Sequence, residues 1–144
     1  MTHLNILLCD DDTDDCLFFA KALKELDLST NLTSVHDGEQ LIDYLSKNIG
    51  NLPDVLFLDL NMPRKNGFES LCEIKEDNAL KDLHIVMFST SFPRDPDYEE
   101  DMKNRLLAIG ADHFIRKPDD FELLKKALAN ALALVIEKKN KLEK

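Results

Sequence analysis

Val55-Leu56-Phe57-Leu58-Asp59-Leu60-Asn61-Met62-Pro63 is the stretch on which the fold turns. Its run Val55–Leu60 is apolar without alternation save for Asp59, and Asn61-Met62-Pro63 reads as a turn. A strand with one wet face alternates apolar and polar residues. A continuous apolar run of strand length belongs to a strand covered on both faces, the condition of a parallel sheet.

Outward from this run the pattern repeats. Leu4–Cys9 and His84–Phe88 have the same look, and Leu32–Val35 and His113–Ile115 are shorter versions of it. Between them lie apolar residues at helical spacing: Cys16, Phe19, Leu23 and Leu26; Leu41, Tyr44 and Leu45; Phe68, Leu71 and Cys72; Met102, Leu106 and Ile109; and Phe121, Leu124, Leu128, Ala131, Leu132 and Val135. Gly110 suits a helix end. Five strands alternating with five helices predict a doubly wound α/β domain with a parallel sheet. One domain over 1–144 is expected, with a core over about 4–136 and a charged tail at 137–144 that frays into solvent.

Composition narrows the function classes. The 144 residues are 44% hydrophobic and 32% charged, with a net charge of -10. That charge argues against nonspecific nucleic-acid binding and favours divalent cations or a basic partner face. No apolar run approaches the ~20 residues that span a bilayer, and the N-terminus lacks a signal-peptide pattern. Cys9, Cys16 and Cys72 are odd in number and lack zinc-type spacing, so thiols rather than disulfides are expected. A cytoplasmic location, away from membrane, follows from these features.

Doubly wound sheets carry their functional groups beyond the carboxyl ends of the strands. The residues there are Asp10 to Asp15 after the first run, Asp59 after the third, Ser89 after the fourth, and Arg116-Lys117-Pro118 after the fifth. Three carboxylates within ~5 Å repel by roughly 3 kcal/mol per pair at an effective dielectric of 20. A divalent cation relieves this, and oxygen-only ligands in a partly open site suit Mg²⁺. A carboxylate beside a cation and a lysine can attack a phosphoryl group. Each residue also has a plainer role. Asp12 or Thr13 caps the first helix, Asp14 and Asp15 complement its positive end, Lys117 alone reads as a surface lysine, and Ser89 alone as a turn residue. Their joint placement at strand ends is what favours a site.

Four segments in order carry a resemblance: Ile6-Leu7-Leu8-Cys9-Asp10-Asp11, Leu56-Phe57-Leu58-Asp59-Leu60-Asn61-Met62-Pro63, Val86-Met87-Phe88-Ser89 and Phe114-Ile115-Arg116-Lys117-Pro118. Together they resemble the receiver domains of two-component response regulators, over roughly Asn5 to Val135. The stretch from Asp59 to Glu69 is further similar to small receivers paired with bacterial phytochrome-type kinases. The resemblance implies a flavodoxin-like sheet of order 2-1-3-4-5. By position it makes Asp59 the phosphoacceptor, Asp11 a direct Mg²⁺ ligand, Asp10 a ligand through water, and Asn61 a ligand through its backbone carbonyl. Ser89 takes the place of the switch hydroxyl, Lys117 of the phosphoryl-contacting lysine, and Phe114 of the aromatic switch. The Lys117–Pro118 bond is expected to be cis.

The function so implied is a stand-alone response regulator that is not a turnover enzyme. It takes a phosphoryl group from a sensor histidine kinase or a histidine phosphotransfer protein onto Asp59. Phosphorylation then changes the surface of helix 4, strand 5 and helix 5 for a downstream protein target. A homodimer through that surface and the tail is left open. One departure is a long Ser91–Glu100 stretch with Pro93 and Pro96, expected to be an exposed loop.

Two other readings fail on spacing. A haloacid-dehalogenase-type phosphohydrolase with Asp10 as nucleophile and Asp12 as acid needs its threonine one position after Thr13. An EF-hand loop from Asp10 needs Gly at its sixth position and Glu at its twelfth, where this chain has Asp15 and Lys21.

Overall fold

The computed structural model describes residues 2–89 and 96–142. Its elements run β1 (His3–Cys9), α1 (Thr13–Lys24), β2 (Ser29–Val35), α2 (Gly38–Lys47), β3 (Val55–Leu58), α3 (Gly67–Glu76), β4 (Ile85–Ser89), α4 (Pro96–Ile109), β5 (His113–Arg116) and α5 (Phe121–Leu142). A short 3-10 turn, Ile49–Asn51, leads into β3. All five strands are parallel, in the order β2-β1-β3-β4-β5. No helix among the described residues is long and apolar enough to cross a membrane.

The continuous apolar runs have the cause that the sequence suggests. All four residues of β3 and all five of β4 are buried, because successive side chains enter opposite layers. On one face Leu4, Ile6, Leu8, Phe57, Val86 and Phe88 pack against α1 and α5 through Phe19, Leu124, Leu128 and Leu132. On the other, Leu7, Cys9, Leu56, Leu58, Ile85 and Met87 pack against α2, α3 and α4 through Leu41, Leu45, Leu71, Ile74 and Leu106. Phe19, Phe57 and Phe88 form an edge-to-face trio with ring centroids 5.0, 5.7 and 6.1 Å apart. Each such pair contributes ~0.5–1.5 kcal/mol beyond the area it buries.

Three expectations need correction. Helix α5 continues to Leu142 instead of fraying from Glu137. The Lys139 ammonium donates to the His3 carbonyl at 2.8 Å and pairs with Asp54 at 3.2 Å, and Thr2 bonds Asn140, so the last turns are tied to the start of β1. Of the stretch expected to be an exposed loop, Ser91–Glu100, the residues from Pro96 onward are helical. Helix α4 begins at Pro96, where a missing N–H and a preset φ suit a first helical position, and 90–95 lie outside the described residues. The Lys117–Pro118 bond is trans, since no cis peptide occurs among the described residues. Trans is the isomer an X–Pro bond ordinarily prefers, by ~0.5–1 kcal/mol.

Candidate functional site

The order of strands reverses between β1 and β3, which opens a crevice above their carboxyl ends. Register places the acids there. Cys9 pairs with Leu58, so Asp10 and Asp59 are the next residues on adjacent strands, and the Asp59 N–H donates to the Cys9 carbonyl at 2.9 Å. Asp10 is tied to β2 by its N–H to the Val35 carbonyl at 3.1 Å. One ligand oxygen each from Asp10, Asp11 and Asp59 lies within 4.8 Å of the others, with Asp10 and Asp59 buried and Asp11 exposed. This is an oxygen-only donor set with one open side, which fits a hard divalent cation such as Mg²⁺.

Lys117 arrives from the end of β5, its N–H held by the Ser89 carbonyl at 2.7 Å. Its ammonium donates to Asp10 Oδ2 at 2.6 Å and to Asp15 Oδ2 at 2.9 Å, and stands 3.6 Å from Asp59 Oδ2. It also lies over the Phe88 ring, 5.6 Å from the centroid. The other Asp10 oxygen accepts the Asp12 N–H at 2.9 Å. Asp12 in turn caps α1, accepting from the Asp14 and Asp15 backbones at 2.9 and 3.1 Å, so Asp12 rather than Thr13 is the cap.

Electrostatics follow the crowding. Burial pushes the Asp59 carboxyl up to about 7. Lys117 opposes this rise, Asp10 adds to it, and a hydrogen bond from the Asn61 backbone lowers it. Burial alone would lower the pKa of Lys117, but its bonds to Asp10 and Asp15 and the charge of Asp59 raise it above the ordinary lysine value. The ammonium is therefore permanently charged near neutrality. Burial, then Asp10, pushes the Cys16 thiol up to about 11, so a thiolate nucleophile is absent beside the site at neutral pH.

The remaining predicted residues are placed as follows. Ser89 ends β4 fully buried, and its hydroxyl has no hydrogen-bond partner among the described residues. Asn61 is exposed at the start of the β3–α3 loop. Phe114 is half-buried on β5, opposite Met87, against the α3–α4 layer, so it shares the sheet with the acids but not the crevice. Asp15 was read as a helix-end acid and is in addition a Lys117 partner. Local pattern carried no signal of this bond, because Asp15 already suits a helix start and its partner lies 102 positions away. Gly67 was also missed. A Cβ there would lie 2.2 Å from the Asp59 carbonyl oxygen.

The profile of the family described as "Response regulator receiver domain" matches residues 6–129. The probable methanogenesis regulatory protein FilR2 of Methanothrix harundinacea is 29% identical over 126 residues, 85% of this chain and 77% of that protein. The response regulator Rcp1 of Synechocystis is 32% identical over 94 residues, covering 62% of this chain and 64% of Rcp1. A crystal structure of Rcp1 in its Mn²⁺-bound form superposes with a TM-score of 0.72 at 26% identity, covering 86% of this chain and 88% of that one. The phosphorylated cyanobacterial phytochrome response regulator RcpA superposes with a TM-score of 0.79 at 28% identity, over 95% of this chain and 96% of that one. With a receiver profile spanning most of its length, and the strand order and acid crevice described above, this chain belongs to the receiver-domain family of response regulators, regulatory modules rather than turnover enzymes.

Proposed function

We propose that this receiver accepts a phosphoryl group on Asp59 from a phosphohistidine, with Mg²⁺ held by Asp59, Asp11 and the Asn61 carbonyl. The observation that carries the reading is the meeting of Asp10, Asp11 and Asp59 oxygens within 4.8 Å, with the Lys117 ammonium 3.6 Å from Asp59. Both Asp10 oxygens are already engaged, by Lys117 and the Asp12 N–H, which favours a role for Asp10 through water. The similarity to a phosphorylated regulator and to a Mn²⁺-bound one supports the same assignment.

Chemically, an Asp59 oxygen forms a bond to phosphorus as the phosphorus–nitrogen bond of the donor histidine breaks, and the imidazole leaves with the electron pair and takes up a proton. Bound Mg²⁺ supplies positive charge for the phosphoryl oxygens. Lys117 supplies a second, fixed positive charge. The buried Ser89 hydroxyl donates to a phosphoryl oxygen, and its inward movement leaves room for Phe114 to turn toward the sheet. The exposed face of α4, β5 and α5 then changes its affinity for a partner. A phytochrome-type sensor kinase is the donor class that the likeness to RcpA favours.

The test is intact-mass measurement after incubation with Mg²⁺ and a small phosphodonor. The wild type gains one phosphate and Asp59→Asn gains none. An adduct that persists in Asp59→Asn places the acceptor elsewhere.

A further inference from the structure

We propose that Asp15 is a positioning residue for Lys117: it holds the ammonium on the α1 side of the crevice in the unphosphorylated protein and thereby weakens the site's affinity for a phosphoryl group. The inference rests on Asp59 as phosphoacceptor. Lys117 touches Asp10 at 2.6 Å and Asp15 at 2.9 Å, both within hydrogen-bond reach, whereas Asp59 at 3.6 Å is outside it. An ammonium has three donors. Two are committed to carboxylates that are not the acceptor.

The two bonds differ in what they cost to release. The Asp10 side chain is 1% exposed, so leaving it unpaired carries a desolvation penalty. The Asp15 side chain is 37% exposed, so water replaces its partner at little cost. Asp15 is nonetheless firmly placed, because the Asp12 cap bonds its backbone N–H at 3.1 Å. When a phosphoryl oxygen competes for the lysine, the Asp15 bond is the one given up. Helix-end charge alone does not explain the arrangement. Asp14 occupies the same first turn and is exposed; Lys117 selects Asp15.

Beryllofluoride, a phosphoryl mimic, is titrated at saturating Mg²⁺ and followed by 19F NMR. Asp15→Asn removes the charge at constant shape, and its beryllofluoride affinity is expected to rise about two- to fivefold, the scale of a partly exposed ion pair. Asp14→Asn, which removes the same charge from the same turn, leaves the affinity at the wild-type value. A merely structural role for Asp15 predicts lower thermal stability with no gain in affinity. Unchanged affinity in Asp15→Asn, or an equal gain in Asp14→Asn, overturns the proposal. Asp59→Asn is run alongside. Beryllofluoride binding that survives in it overturns the phosphoacceptor reading and the Asp15 proposal with it, whereas loss of binding there together with an unchanged Asp15→Asn overturns only the latter.

Discussion

Asp59 is held in a state that the proposed phosphorylation has to reverse. With a pKa of about 7 against the ordinary 3.8, the folded protein keeps a proton that the unfolded chain has released across that interval. Fewer protons are bound unfolded than folded, so stability falls as pH rises. The contribution of the protonated carboxyl is complete below pH 3.8 and is lost as pH rises through about 7. Asp59→Asn, neutral at every pH, escapes the loss. Without divalent cations, denaturant unfolding is therefore expected to find the variant near wild-type stability at pH 4 and more stable at pH 8. At ~1.4 kcal/mol per tenfold change in proton affinity, the ceiling on that gap is about 4 kcal/mol. A gap that does not widen with pH counts against a buried, crowded Asp59. Ser89 presents the same tension in neutral form. Its buried hydroxyl lacks a partner among the described residues, and an unmade buried hydrogen bond costs ~1–3 kcal/mol. Ser89→Ala should leave the unliganded fold equally stable or about 1 kcal/mol more stable, yet lower beryllofluoride affinity roughly tenfold, the value of a bond to a charged oxygen. Thermal melts and 19F titrations of the one variant test both halves.

Helix starts and strand ends are what convert these residues into a site. Asn66 opens α3 with a capping box, its side chain accepting from the Glu69 N–H at 2.8 Å while Glu69 reaches back to the Asn66 N–H at 3.1 Å. The next residue, Gly67, lets that helix start lie against the end of β3, with its N–H on the Leu60 carbonyl at 2.9 Å. A methyl group there would meet backbone, 2.2 Å from the Asp59 carbonyl oxygen and 2.8 Å from Leu60 Cα, and backbone yields less readily than a flexible side chain. Gly67→Ala is expected to cost about 1–3 kcal/mol of stability, the usual scale of overpacking, and to weaken Mg²⁺ binding by shifting Asp59. Gly50→Ala, where nothing lies within 4 Å, should stay within ~0.5 kcal/mol of wild type. Equal effects in the two variants, read by denaturant melts and Mg²⁺ titration, would remove the close approach of α3 as the cause.

At the scale of the whole molecule, the legible parts were those written in local pattern. The apolar runs Val55–Leu60 and His84–Phe88 announced a two-sided sheet, and the carboxyl-end rule placed Asp10, Asp11, Asp59 and Lys117 together, as the structure does. What stayed hidden depends on contacts across the chain. Nothing near Glu137 signals that Lys139 reaches His3 and Asp54 to hold the last turns of α5. Asp15 satisfies the rule for a helix start so well that its bond to a lysine 102 positions away left no trace in local pattern. The strand order likewise came from resemblance, because hydrophobic periodicity carries no neighbour information. The acid crevice that was legible also makes a global prediction. Gathering Asp10, Asp11 and Asp59 costs folding free energy through mutual repulsion, and the unfolded chain separates them, so a cation bound there stabilises the native state selectively. At ten times its dissociation constant, Mg²⁺ should add about 1.4 kcal/mol, or roughly 3–6 °C in melting temperature for a chain of this size. Asp11 is the exposed member of the cluster. Asp11→Ala removes one repulsive charge and one ligand together, so its melting temperature without metal should equal or exceed that of the wild type, while the rise on adding Mg²⁺ largely disappears. A full Mg²⁺-induced rise in Asp11→Ala would put the cation somewhere other than the β1–β3 crevice.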